Sequence, residues 1–148
     1  MKHFKTFAAL LCAAVLALAA LLAACGGSGA GGAKIKKSEE GLLVLEATET
    51  GGSLADALAA LKEAGELTYE GSDNGYGLFI TSINGYAPAG NAYWAIYTTL
   101  ESDNGVRYAS DEFGTYEYGG TTLLSALYGA SGLPLIEGEL YLFAVATF

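Results

Sequence analysis

The sequence predicts an α+β domain in which one main helix packs on a mixed sheet, and three observations predict it. Short runs at residues 42–48 and 140–146 are apolar on both faces, as strands buried on both sides of a sheet are. Between them lies one amphipathic stretch with Leu54, Leu58 and Leu61 at i, i+4 and i+7, a narrow stripe that needs a sheet to lie on. The rest, above all residues 75–97, gathers aromatic and β-branched residues between Gly and Asn punctuation, the pattern of strands joined by turns.

Composition narrows the chemistry before any motif is read. The chain has 148 residues, room for one domain with a real core, and a formal charge of −9. Beyond the leader only Lys34, Lys36, Lys37, Lys62 and Arg107 face 16 acids, a net of −11, and such a surface repels phosphate backbones, so nucleic acid is excluded as a partner. The sole histidine is His3 and the cysteines are Cys12 and Cys25. Serine–histidine and cysteine–histidine catalysis, and zinc sites built from these side chains, lack their parts; no catalytic residue and no metal ligand is assigned.

The elements follow in order. Residues 1–24 have the layout of a signal peptide, with Lys2 and Lys5 ahead of an unbroken apolar run. Leu22-Ala23-Ala24-Cys25 resembles the bacterial lipobox, which implies lipidation of Cys25 and a lipid-anchored protein on the extracytoplasmic face of the cell membrane. Residues 25–40, rich in Gly, Ser and Lys, read as a flexible linker with a coil reach of roughly 20 Å, whose lysines either meet the anionic lipid surface or keep the stalk solvated. Residues 41–148 form the globular domain.

After the first strand, Ser53 caps the helix with Asp56 as its capping-box partner, and Ala64-Gly65 stops it. Ser-Asp-Asn-Gly occurs twice, at 72–75 and 102–105, and reads as two hairpin tips because Asn and Gly tolerate positive φ; neither copy has the alternating acids of a calcium loop. Asn84-Gly85 is a further turn. In residues 93–99 alternation puts Tyr93, Ala95 and Tyr97 on one face and Trp94, Ile96 and Thr98 on the other, with Trp94 in the core. Residues 106–120, rich in Tyr and acids, read as a less buried hairpin or loop, and Leu123, Leu124 and Leu127 as a short turn of helix. The last strand is apolar throughout and so belongs in the middle of the sheet. If it lies beside the first, the arrangement is β-grasp-like.

Gly52-Ser53-Leu54-Ala55-Asp56-Ala57-Leu58, the stretch 75–85 (GYGLFITSING), Tyr93-Trp94 and Glu137-Gly138-Glu139 together resemble the C-terminal domain of transcobalamin and intrinsic factor, a pattern shared by a bacterial family of uncharacterised extracellular domains. The resemblance spans nearly all of the globular part. It implies a β-grasp-like module and contact with one side of cobalamin, a ligand here and not a catalytic cofactor.

Two functions are therefore expected as alternatives. One is a membrane-anchored extracytoplasmic binding module for cobalamin, a related corrinoid or another small ligand, with Tyr76, Tyr86, Trp94 and Tyr97 as the candidate contact residues, since aromatic rings give an apolar plane with a polar tip. The other is a cell-surface lipoprotein that engages a protein or glycan through a sheet edge or the tyrosine-rich insert. Asp111 and Glu112 are adjacent, so a strand sends them to opposite faces and no glycosidase pair is marked; the protein is expected not to be an enzyme.

Overall fold

A computed structural model describes residues 29–148; the leader, Cys12 and the lipidation candidate Cys25 lie outside the described residues. The chain order is β1 (Gly29–Ala30), β2 (Ala33–Glu39), β3 (Leu42–Ala47), α1 (Leu54–Glu63), β4 (Tyr69–Asp73), β5 (Leu78–Ile83), β6 (Ala92–Thr98), β7 (Ser102–Asp103), β8 (Val106–Arg107), β9 (Ala109–Tyr118), β10 (Thr121–Ala126), a single 3₁₀ turn (Ala130–Gly132) and β11 (Leu140–Thr147). Seven strands form one sheet in the order β1-β2-β3-β11-β6-β10-β9, while β4–β5 and β7–β8 stand apart as two-stranded hairpins.

The α+β, β-grasp-like expectation is overturned. Strand accounts for 53% of the structure and helix for 11%, and each pairing in the large sheet is antiparallel, so the sheet is not mixed. β11 does lie beside β3, with Leu142 opposite Val44, but in the opposite direction. The chain leading into β11 sets that direction. Leu133 and Leu135 are tied to the start of the helix region by Leu54 N–H to Leu133 O (2.8 Å) and Leu135 N–H to Gly52 O (3.0 Å). Gly138 N–H then donates to Ala47 O at 2.9 Å, so β11 enters the sheet at the C-terminal end of β3 and runs back along it.

The expected linker at 25–40 is also overturned over its second half. Ala33–Glu39 is strand, paired with β3 from Ala33 opposite Ala47 to Glu39 opposite Leu42, with a bulge between Ile35 and Lys37. Ala33 is buried and Ile35 packs on the core, while Lys34 and Lys36 both reach Glu46 at 3.1 Å. Alternation of two apolar residues with outward lysines is enough to make an edge strand here, because β3 needs a partner on that side. Gly31, at φ +61, lets the turn between β1 and β2 press on α1; a Cβ there would sit 2.5 Å from Ala60 Cβ.

The helix forms as its sequence dictates. Asp56 N–H donates to Ser53 Oγ (3.2 Å) and Ser53 N–H donates to an Asp56 carboxylate oxygen (2.9 Å), closing the capping box. Those bonds hold the Asp56 carboxyl below the usual carboxylate range. At the other end Glu66 N–H reaches Leu61 O and Gly65 N–H reaches Lys62 O, both at 3.0 Å, with Gly65 at φ +76: a Schellman stop. Leu54, Ala57, Leu58 and Leu61 are buried in one core with Leu43, Leu45, Tyr141, Phe143 and Trp94.

The opposite face of the sheet has its own core, Leu42, Val44, Leu142 and Ala144 with Leu123 and, at its rim, Tyr97, Tyr116 and Tyr118. Leu123 and Leu124 are therefore strand residues of β10, not a turn of helix, and Leu127 is exposed beyond the strand. β9 and β10 make the tyrosine-rich insert a hairpin, and its register jumps: Leu124 faces Thr115 while Ser125 faces Ser110, leaving residues 111–114 as an outward bulge with Gly114 at φ +111. Bent this way, the hairpin brings Leu123 onto the second face.

Candidate functional site

Asn84-Gly85 and Asn104-Gly105 are turns with both residues at positive φ, and Asn74-Gly75 lies in the loop joining β4 to β5. No group of three or more metal-ligating side chains occurs among the described residues.

The four candidate contact residues do not converge. Tyr76 is at the tip of the β4–β5 hairpin and 96% exposed. Tyr97 lies on the face away from the helix, its ring 5.6 Å from that of Tyr116, where burial and the neighbouring phenols of Tyr93 and Tyr116 push its hydroxyl pKa up. Tyr86 and Trp94 alone come together, edge to face at 6.0 Å, on the helix side of the sheet. A single flat platform built from all four is thereby ruled out by the alternation of β6, which sends Trp94 and Tyr97 to opposite sides.

Around Trp94 the structure does make a site. Its ring is buried, 8% exposed, yet its Nε1–H has no hydrogen-bond partner among the described residues. β5 runs beside this residue without pairing to β6, and the slot between them holds two cavities. One, of about 140 Å³, is lined by Phe79, Ile80, Pro88, Tyr93 and Trp94 among others. The second, of about 110 Å³, is lined by Leu78, Phe79, Ile80, Trp94, Ile96, Gly129 and Phe143. Phe79 stands half-exposed at the mouth, and Tyr93 stacks on Phe148 at 4.5 Å beside it.

Along this slot β6 is paired on one edge only, to β11. β10 meets β6 only at Thr98 opposite Leu124 and Tyr97 opposite Ser125, so among the described residues no strand pairs with the outer edge of residues 92–95. The phase of the ladder says which backbone groups that leaves. Thr99 N–H bonds Leu140 O at 3.2 Å across the β6–β11 ladder, so Thr99, Tyr97, Ala95 and Tyr93 turn their backbone groups to β11. Trp94 turns its N–H and C=O the other way, to the edge of β6 that faces away from β11. Neither Phe79 nor this edge was marked by the sequence; the signal available was the apolar run Leu78-Phe79-Ile80, longer than one buried face of a strand needs.

A third concavity, about 340 Å³, lies where the turn after β2 meets the Asn84-Gly85 turn and is lined by Ser38, Glu39, Glu40, Ile83 and Tyr86. Asn84 spans it, donating to Ser38 Oγ and accepting from Thr68 N–H, both at 2.9 Å. The carboxylates with perturbed pKa are elsewhere: Glu46 is held low by Lys36 and Lys34, and Asp56 by its cap.

Searches against protein-family models, curated proteins and solved structures return no match.

Proposed function

We propose that this protein is an extracytoplasmic binding module, held to the membrane through lipid on Cys25, that retains a partner at the slot between β5 and β6 without transforming it. One observation carries the reading: Trp94, a buried ring with an unpartnered N–H, sits between two apolar cavities on an unpaired strand edge. An unsatisfied buried donor costs free energy that a bound acceptor would recover.

Cobalamin or a related corrinoid is the small ligand that the resemblance to transcobalamin suggests. The groove beside Tyr86 is the observation that favours a small ligand, since its volume is that of a small pocket. The test has two arms. Replacing Cys25 with Ala should move the protein from the membrane fraction to the soluble one. Calorimetric titration of the detergent-solubilised full chain with cobalamin, with cell-wall glycan fragments and with a displayed peptide library's selected members should give heat with at least one. Heat with none overturns the reading.

A further inference from the structure

We propose that the unpaired edge of β6 docks an extended peptide segment of another protein, apolar at alternate positions and flanked by basic residues, which adds to the sheet as one more strand. This rests on the slot being the binding site.

The geometry of the edge selects the occupant. Trp94 offers a backbone N–H and C=O at the spacing of a ladder, and an extended chain satisfies both at once. The cavities of about 140 and 110 Å³ on either side of Trp94 are each of the order of a single side chain, too small for a planar ligand but matched to residues that project alternately from a strand. Their walls, Phe79, Ile80, Trp94 and Ile96 chief among them, are uncharged, so those residues are apolar.

Charge settles the rest. Residues 29–148 carry five cations against 16 acids, and the cations are engaged elsewhere: Lys34 and Lys36 with Glu46, Lys37 with Glu39, Lys62 with Tyr69 O, and Arg107 with Ser110 Oγ. The domain therefore draws a segment with Lys or Arg flanks and repels a second copy of itself.

The experiment selects binders to the solubilised full chain from a random-peptide display library, then synthesises the enriched peptides with and without N-methylation of alternate backbone amides. Selected peptides should alternate apolar residues between basic ones. N-methylation on the register that faces β6 should weaken binding at least about tenfold, and on the other register should not. Phe79→Glu, at a half-exposed position, should weaken binding as much, while Tyr97→Phe on the opposite face should leave it unchanged. Hydrogen exchange at the Trp94 amide should slow on binding.

Binding indifferent to N-methylation, or sensitive to Tyr97→Phe and not Phe79→Glu, would overturn the proposal. So would a concentration-dependent dimer abolished by Phe79→Glu, which would make the occupant a second copy. No enriched peptide, with heat from cobalamin or glycan, would overturn the peptide and leave the retention function standing; no binding of any probe would overturn both.

Discussion

The phenol of Tyr141 donates to the carbonyl of Pro134 at 2.6 Å and accepts from Ile136 N–H at 3.1 Å, so a side chain in the middle of the sheet holds the segment that turns into it. Tyr141 is fully buried. Removing its hydroxyl would strand both backbone groups. Tyr141→Phe is expected to cost about 1–3 kcal/mol in chemical denaturation.

The same hydroxyl sets an alkaline limit. Burial, with a smaller push from Glu139, raises its pKa to about 12, above the ordinary value of 10. The folded state therefore holds this proton more tightly than the unfolded one does, and the stability it confers is intact below pH 10 and falls as pH rises from 10 towards 12. Denaturation midpoints measured across that window should decline more steeply for the wild type than for Tyr141→Phe.

Ser53→Ala should cost about 1 kcal/mol, because it opens the capping box on the helix that roofs the main core. Thermal melts followed by circular dichroism would read it. An unchanged melting temperature would mean that the helix terminus is held by the Leu54–Leu133 backbone bond alone.

Gly31→Ala tests whether the residues before the turn at Gly41 belong to the fold. At φ +61, with Ala60 Cβ in the way, an alanine is expected to cost about 2 kcal/mol or more. A flexible tether would absorb the change with no effect on unfolding.

Leu123→Ala empties the core on the far face of the sheet and should cost about 2–5 kcal/mol. A loss under about 0.5 kcal/mol would show that the β9–β10 hairpin is a loose cover and not a packed layer.

Local features were legible in the sequence, and long-range ones were not. The Ser53–Asp56 box, the leucine stripe, the Asn-Gly turns and the central place of residues 140–147 all follow from contacts within a few residues or from a run too apolar for an edge. β2 escaped because its Ala33 and Ile35 are set among Gly and Lys, and only β3 shows that they face inward. The direction of β11 depended on where Leu133 and Leu135 are tied down, a relation across some eighty residues that no periodicity carries. Of the candidate site, Trp94 and Tyr86 were found as a pair on one side, and the assignment of Tyr97 to the other face was already implied by alternation. Tyr76 stands apart from the other three at the tip of the β4–β5 hairpin, a separation that no local pattern carries.

The position of β11 between β3 and β6 governs how this polypeptide reaches its shape. Before Leu140–Thr147 arrives, β3 and β6 have no neighbour in common, the helix-side core lacks Phe143 and the opposite core lacks Leu142. The loops to be closed are long, so assembly is slow and turns on this one strand. Removing Leu140–Thr147 is therefore expected to abolish both cores at once, read as loss of cooperative unfolding in thermal melts.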